Sequence, residues 1–109
     1  MNVNRGKEPF AERRLLCSAK NGSTRTEIVF RVSRPHVTTI SEAGSVANGE
    51  TFTCEVTIDG LDERSVKYFG MDSIQALQLA SDLDPLIRRL SAKYDFFWPT
   101  GEPYFEGDE

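Results

Sequence analysis

The segment GMDSIQALQLASDLDPLIRRL, residues 70–90, decides the fold because it predicts a long helix with a defined start. Gly70 ends the preceding extended run, Asp72 is a favourable N-cap residue, and Gln75 follows three positions later, as in a capping box. Apolar residues then recur along one helical stripe, which is the pattern of a helix that packs on a sheet. The stripe consists of Ala76, Leu79, Ala80, Leu83, Leu86, Ile87, Leu90 and Tyr94.

Pro85 lies inside this segment and complicates the helix. Within a helix, proline removes one hydrogen bond and clashes with the carbonyl four residues earlier, at a cost of about 3 kcal/mol. Two arrangements are open: the helix kinks near Pro85, or it breaks and restarts with Asp84 as the cap. Because the apolar stripe keeps its phase across Pro85, we favour the kink.

Upstream of the helix, four segments alternate apolar and polar residues with a period of two, which indicates half-buried strands. They are residues 12–19, 24–33, 51–60 and 65–70. Short polar turns, including the pair Asn21–Gly22, link the first strand to the second and the third to the fourth. We therefore predict an α+β fold, in which one C-terminal helix kinked near Pro85 packs on a four-stranded, mostly antiparallel meander and an aromatic tail follows.

The length of 109 residues predicts a single domain. We expect residues 1–9 to form a flexible N-terminal lead, residues 10–98 the α+β domain, and residues 99–109 an acidic aromatic tail. Residues 34–49 are rich in Ser, Gly and Asn, which favours a mobile loop.

The formal net charge of -4 has the wrong sign for general attraction to nucleic acid or to an anionic membrane. No apolar run approaches the roughly 18 residues that a membrane helix needs. The N-terminal residues also lack the apolar core of a signal peptide. We therefore expect a cytoplasmic protein that binds neither nucleic acid nor membrane.

Residues that usually carry chemistry are sparse. His36 is the only histidine, and its sequence neighbours supply neither further metal ligands nor a nucleophile. Cys17 and Cys54 fall on inward-facing positions, where cysteine is usually an inert apolar filler. The sequence therefore predicts no catalytic, cofactor-binding or metal-binding residues, which favours a non-catalytic protein.

Outward-facing side chains of the second and third strands mix both charges, so we expect cross-strand pairs or a mixed-charge recognition face. These residues are Arg25, Glu27 and Arg31 opposite Thr53, Glu55 and Thr57. The acidic residues around the third strand and its turn are interpreted as a solvated face.

Residues 94–109 hold six of the eleven aromatic residues beside an acidic C-terminus. Ile74 and Leu77 project from the first helical turn, off the main stripe. Either the C-terminal aromatic residues fold back over Ile74 and Leu77, or the two sets form a docking surface. The predicted interaction surface consists of Ile74, Leu77, Phe96, Phe97, Trp98, Tyr104 and Phe105.

Three pieces of the sequence resemble a small bacterial domain family of unknown function. They are Arg34–Pro35 after the second strand, FTCEVTIDGL at residues 52–61, and the helix start GMDSIQALQLA at residues 70–80, which matches the pattern Gly-x-Asp-Ser-x-Gln-Ala-Leu-x-Leu-Ala. The chain departs from the family in its longer 34–49 loop and in Pro85. The resemblance implies the fold and implies no activity.

We favour a non-catalytic protein-interaction module of the bacterial cytosol, of the accessory, inhibitor or immunity type, whose partner is another protein or a second copy of the chain. The alternative is a small-ligand-binding protein or a weak enzyme. Its pocket would lie between the sheet, the 34–49 loop and the tail, lined by Tyr68, Trp98 and Arg34. A third possibility is a homodimer joined through Ile74, Leu77 and the tail.

Overall fold

The computed structural model describes residues 9–39 and 51–105. The predicted flexible lead, apart from Pro9, and residues 40–49 of the predicted loop lie outside the described residues. In chain order the elements are β1 (Ala11–Ala19), β2 (Thr26–Val32), β3 (His36–Val37), β4 (Phe52–Asp59), β5 (Val66–Gly70), α1 (Ser73–Ser81), α2 (Asp84–Leu90) and β6 (Tyr94–Phe97).

The strands form one antiparallel sheet in which β5, β4, β2, β1 and β6 lie side by side, and β3 also pairs with β4. The α+β fold and the antiparallel meander are confirmed, with β1, β2, β4 and β5 as the four predicted strands. The sheet has six strands rather than four. β3 is only two residues long, and β6 lies in the aromatic C-terminal part, so neither shows a period-two pattern of its own.

One face of the sheet carries the core. Register places Leu15 opposite Ile28 and Phe30 opposite Ile58, and Cys17 lies opposite Phe96 on β6. The inward residues of all these strands are therefore stacked in layers under the helix. Burial of such side chains is the main favourable term in the folding of a domain of this size.

The C-terminal helix is bent by 39° near Pro85, as predicted, and at the bend it is divided into α1 and α2. Asp82 leaves the helical conformation with a ψ of 86°, and α2 begins two residues later with Pro85 in its first turn. At this position the missing N–H of proline breaks no helical hydrogen bond. The stripe stays buried on both sides of the bend, except that Leu79 is 46% exposed and Tyr94 belongs to β6.

The start of α1 is held against the end of β5. The Gln75 N–H donates to Asp72 Oδ1 at 2.8 Å, and the Met71 N–H donates to Gln75 Oε1 at 2.6 Å. Asp72 therefore caps the helix as predicted, and Gln75 reaches back one residue beyond the cap. A Cβ on Gly70 would overlap the backbone nitrogen of Ala76. Only glycine allows this approach of helix to strand.

The chain after β6 turns back along the same strand. The Trp98 N–H donates to the Glu102 carbonyl at 2.8 Å, and the Tyr104 N–H donates to the Phe96 carbonyl at 2.9 Å. This return carries Tyr104 into the core, where it is 9% exposed. Its hydroxyl accepts from Arg13 Nη1 at 2.6 Å and donates to Asp84 Oδ1 at 2.6 Å. The tail therefore joins β1 to the first turn of α2.

Candidate functional site

The two edges of the sheet differ. Along β6, the returning tail forms backbone hydrogen bonds, and Pro103, which has no N–H, lies opposite Phe97. Along β5, no second strand pairs with the side that faces away from β4, within residues 9–39 and 51–105. We call this side of Val66–Gly70 the β5 edge. It offers backbone donors and acceptors of the kind that pair with an added strand.

Exposed apolar side chains lie at and just after β5. Phe69 is 43% exposed on the outer face of the sheet, opposite the fully buried Thr53. Met71 and Ile74, which follow in the turn and in α1, are 76% and 66% exposed. Large apolar side chains are common on surfaces singly, but three within the six residues 69–74, which end β5 and begin α1, favour a contact near this edge.

A groove of about 420 Å³ lies next to the start of the β5 edge, between the β4–β5 turn and α2. Its floor is apolar, and two arginines line it as well. The floor consists of Ile58, Val66, Leu86 and Leu90, and the arginines are Arg64 and Arg89. We call this cavity the arginine groove. The bend of the helix sets the direction of α2 and thereby the position of Arg89 across from the turn.

The acidic residue Glu63 at this groove is already engaged. Glu63 Oε2 accepts from Lys93 Nζ at 3.0 Å and from the Tyr94 hydroxyl at 2.9 Å. Two hydrogen bonds lower the pKa of Glu63, with the larger effect from Lys93 and the smaller from Tyr94. The hydrogen bond between Tyr94 and Glu63 also raises the pKa of Tyr94. Glu63 therefore stays ionised near neutral pH and is occupied by its own neighbours.

The two guanidinium groups of the arginine groove have no such partners. Neither Arg64 nor Arg89 forms a side-chain hydrogen bond or an ion pair with any residue in the described part of the chain. The charge of Arg89 acts at longer range: it contributes a small part of the lowering of the Glu63 pKa, and it opposes the burial that raises the pKa of Tyr68. The groove therefore combines an apolar floor with two unpaired cations.

A second cavity of about 320 Å³ lies at the opposite edge of the sheet, where aromatic residues of β6 and the tail line it. Its cation is Lys20, which donates to the Ser91 carbonyl at 2.8 Å and pairs with Asp95 at 3.1 Å. This cavity thus has its charges satisfied within the chain, in contrast to the arginine groove.

Of the predicted interaction surface, the structure brings Phe96, Trp98, Tyr104 and Phe105 together. Phe96 and Tyr104 belong to the core, and the rings of Trp98 and Phe105 lie 4.7 and 4.9 Å from that of Tyr104. Phe97 lies on the outer face under the guanidinium of Arg25, which is 3.6 Å from its ring centre. Trp98 is the most exposed of this group, at 36%.

Ile74 and Leu77 lie elsewhere. They belong to α1, which packs on β4 and β5, whereas β6 is separated from β5 by three strands. Leu77 packs partly against the core, while Ile74 stays exposed, so the tail does not cover it. The docking role of the predicted interaction surface stays a prediction.

The residues suggested for a ligand pocket are also separated, with Tyr68 on β5 and Trp98 after β6 at the opposite edge.

The outward charges of the sheet pair across strands. Arg31 contacts Glu12 on β1 at 2.9 Å and Asp59 on β4 at 3.1 Å, and Arg14 contacts Glu12 at 3.0 Å. These exposed pairs contribute little to stability, about 0–1 kcal/mol each.

Among the residues that the structure describes, no three His, Cys, Asp or Glu side chains form a group that could hold a metal ion.

Both cysteines are buried free thiols, as their inward positions indicated. Burial, with a smaller contribution from the charge of Asp95, raises the pKa of Cys17 to about 11. Burial also raises the pKa of Cys54. Neither thiol is positioned as a nucleophile, because the thiolate is the reactive form and burial disfavours it.

The raised pKa of Cys17 predicts a loss of stability at alkaline pH. An unfolded cysteine loses its proton near pH 8.5, whereas Cys17 in the folded chain keeps its proton up to about pH 11. Between these values the unfolded state binds fewer protons, so the free energy of unfolding falls as pH rises. Urea unfolding at about pH 7.5 and 9 should show this fall, since tyrosines of the unfolded chain, with a pKa near 10, are still mostly protonated at about pH 9.

The control is Cys17→Ala, which removes this titration and should weaken the pH dependence, leaving the contributions of Cys54 and of the three tyrosines, whose pKa values are also raised. An equal fall in the wild-type chain and in Cys17→Ala would show that Cys17 is not the group responsible.

None of the described helices combines the length and apolar character that a membrane span requires.

Comparison with curated proteins and with solved structures finds no match. Residues 11–83, from β1 through α1, match the family described as Domain of unknown function (DUF6968), which confirms the resemblance to a family of unknown function. The chain therefore belongs to the DUF6968 family.

Proposed function

We propose that this chain is a non-catalytic protein-interaction module that receives an extended segment of a partner protein along the β5 edge. One observation carries the proposal. The edge at β6 is covered by the chain's own tail, whereas no described strand pairs with the β5 edge, which carries the exposed Phe69 and precedes the exposed Met71 and Ile74. Proteins usually cover or blunt their sheet edges, so an open edge with apolar neighbours suits strand addition.

The partner is a segment of another protein rather than a second copy of this chain. A second copy would pair its own β5, whose sequence is Val-Lys-Tyr-Phe-Gly, with the β5 edge. That strand contains no carboxylate, so none of its own side chains would bind Arg64 or Arg89 in the adjacent groove. A partner segment of different sequence can satisfy both the edge and the groove.

We also assign the module to the cytoplasm. Cys17 and Cys54 are buried and free, and β2 lies between their strands. Unpaired thiols of this kind suit a reducing compartment.

The test compares two charge substitutions at similarly exposed phenylalanines. Phe69→Asp alters the β5 edge, whereas Phe10→Asp alters a side chain that is 49% exposed near the start of β1, with β2 and β4 between it and β5. Tagged chains are expressed in the native cells, and the bound proteins are quantified after cross-linking. We expect Phe69→Asp to reduce recovery of the bound partner about tenfold, as loss of a central contact does, and Phe10→Asp to leave it unchanged.

Circular dichroism and thermal unfolding establish that both variants are folded. Equal recovery with the two variants would overturn the proposal. Light scattering addresses the identity of the partner: a wild-type dimer that Phe69→Asp dissociates would show that a second copy occupies the edge, against our assignment.

A further inference from the structure

Within residues 9–39 and 51–105, the arginine groove is a cavity lined by two charges that the fold leaves unpaired. Arg64 and Arg89 are both exposed and unpaired within the described residues, and they line one groove from opposite sides, one in the β4–β5 turn and one in α2. Arginine side chains that face a cavity in this way commonly bind a carboxylate or a phosphate, because the guanidinium group donates two parallel hydrogen bonds.

The local charge favours an anion, although the whole chain has a net charge of -4. Glu63 is bound to Lys93 and Tyr94, which leaves Asp62 as the other acidic residue at the groove. Three cationic side chains, those of Arg64, Arg89 and Lys93, therefore lie around two carboxylates. The groove is a positive site on an acidic protein.

The groove and the β5 edge adjoin each other at Val66. Val66 lines the groove and is also the first residue of β5, opposite Val56 on β4. In a strand added to this edge, alternate side chains would project on the same face of the sheet as Val66. The residue of the added strand opposite Val66 would thus place its side chain over the groove.

We infer that the segment docked on the β5 edge carries an acidic side chain, Glu or Asp, whose carboxylate binds between Arg64 and Arg89 in the arginine groove. This inference rests on the proposed function. The apolar floor at Ile58, Leu86 and Leu90 would contact the methylene groups of that side chain, while the two guanidinium groups bind its oxygens. The groove thereby selects the sequence of the segment, and the β5 edge supplies its backbone pairing.

The experiment is a selection from a displayed library of random peptides about ten residues long. The wild-type chain is compared with the double variant Arg64→Gln/Arg89→Gln and with Phe69→Asp. A matched control, Arg14→Gln/Arg31→Gln, removes the same charge from the outer face of the sheet, where exposed ion pairs contribute little. Thermal unfolding verifies that each variant is folded before selection.

We expect peptides enriched on the wild-type chain to share one acidic residue among alternating apolar residues. The groove variant should lose this preference and bind a selected peptide about ten- to a hundredfold more weakly, as expected for charge-assisted hydrogen bonds. A Glu→Gln version of that peptide should bind the wild-type chain equally weakly, and the control variant should retain full binding.

The outcomes separate the inference from the proposed function. Peptides that depend on Phe69 but show no acidic preference would overturn the role of the groove and leave docking at the β5 edge intact. No enrichment, or enrichment that Phe69→Asp does not affect, would overturn docking at this edge itself.

Discussion

A chain that ends at Tyr94 is expected to lose its native fold rather than to become a stable monomer. The truncation removes most of β6 and the two buried aromatic side chains of Phe96 and Tyr104. Loss of one buried aromatic side chain costs about 3–5 kcal/mol, and a domain has a total stability of about 5–15 kcal/mol. Thermal unfolding followed by circular dichroism should show no cooperative transition, and size exclusion should show aggregation.

The matched control is a chain that ends at Phe105, which keeps all the described contacts of the tail and should unfold at the wild-type temperature. If the chain that ends at Tyr94 instead remained a cooperatively folded monomer, Phe96 and Tyr104 would not belong to the core. The tail would then be free to act as an interface, as the alternative interpretation of the aromatic residues requires.

The meander could be predicted because its signals are local. Alternation along β1, β2, β4 and β5 shows which side chains face inward. The burial patterns of β1, β2 and β4 follow it, except that the outward Ser18, Val29 and Thr53 are buried as well. The turns carry suitable residues as well: Asn21 adopts a φ of 60° and Gly60 a φ of 102°. Each of these features depends on residues close together in sequence.

The role of the C-terminal aromatic residues could not be predicted in this way. Phe96 faces the core and Phe97 faces outward under Arg25. Because the inward and the outward position are both apolar, the sequence shows no alternation of apolar and polar residues that would mark a strand. Pairing of β6 with β1 joins the two ends of the domain, and such long-range contacts leave no pattern in the local sequence. The aromatic composition therefore fits both a cover for the core, which we favoured, and a docking surface.

The candidate site was missed for a related reason. Alternation places Phe69 on the outer face, but the openness of the β5 edge follows from the order of strands in the whole sheet. Arg64 and Arg89 lie far apart in sequence, and they line one groove only because the bent helix passes the β4–β5 turn. In the sequence Arg89 is visible only as part of the basic pair Arg88–Arg89, which has acidic residues close by.

Gly70→Ala is expected to destabilise the chain by about 3 kcal/mol, at the upper end of the range for overpacking. The added Cβ would overlap the backbone nitrogen of Ala76 and lie 2.9 Å from the Ala76 Cα atom. These are backbone atoms in the first turns of α1, so no side chain can rotate away and the helix itself must move off β5. Such a movement would open the packing of Ala76 and Ala80, both fully buried. Urea unfolding measures the loss.

Two further variants show whether close contact between backbones is the cause. Gly101→Ala adds a Cβ that would meet only Arg25 Nη1 at 3.7 Å, but at a φ of 104°, so backbone strain alone should cost about 1 kcal/mol. The double variant Gly70→Ala/Ala76→Gly should be at least as unstable as Gly70→Ala, because removing the Ala76 side chain leaves the obstructing backbone in place. Recovery of stability in the double variant would mean that side-chain crowding, rather than the approach of helix to strand, requires glycine at the start of this helix.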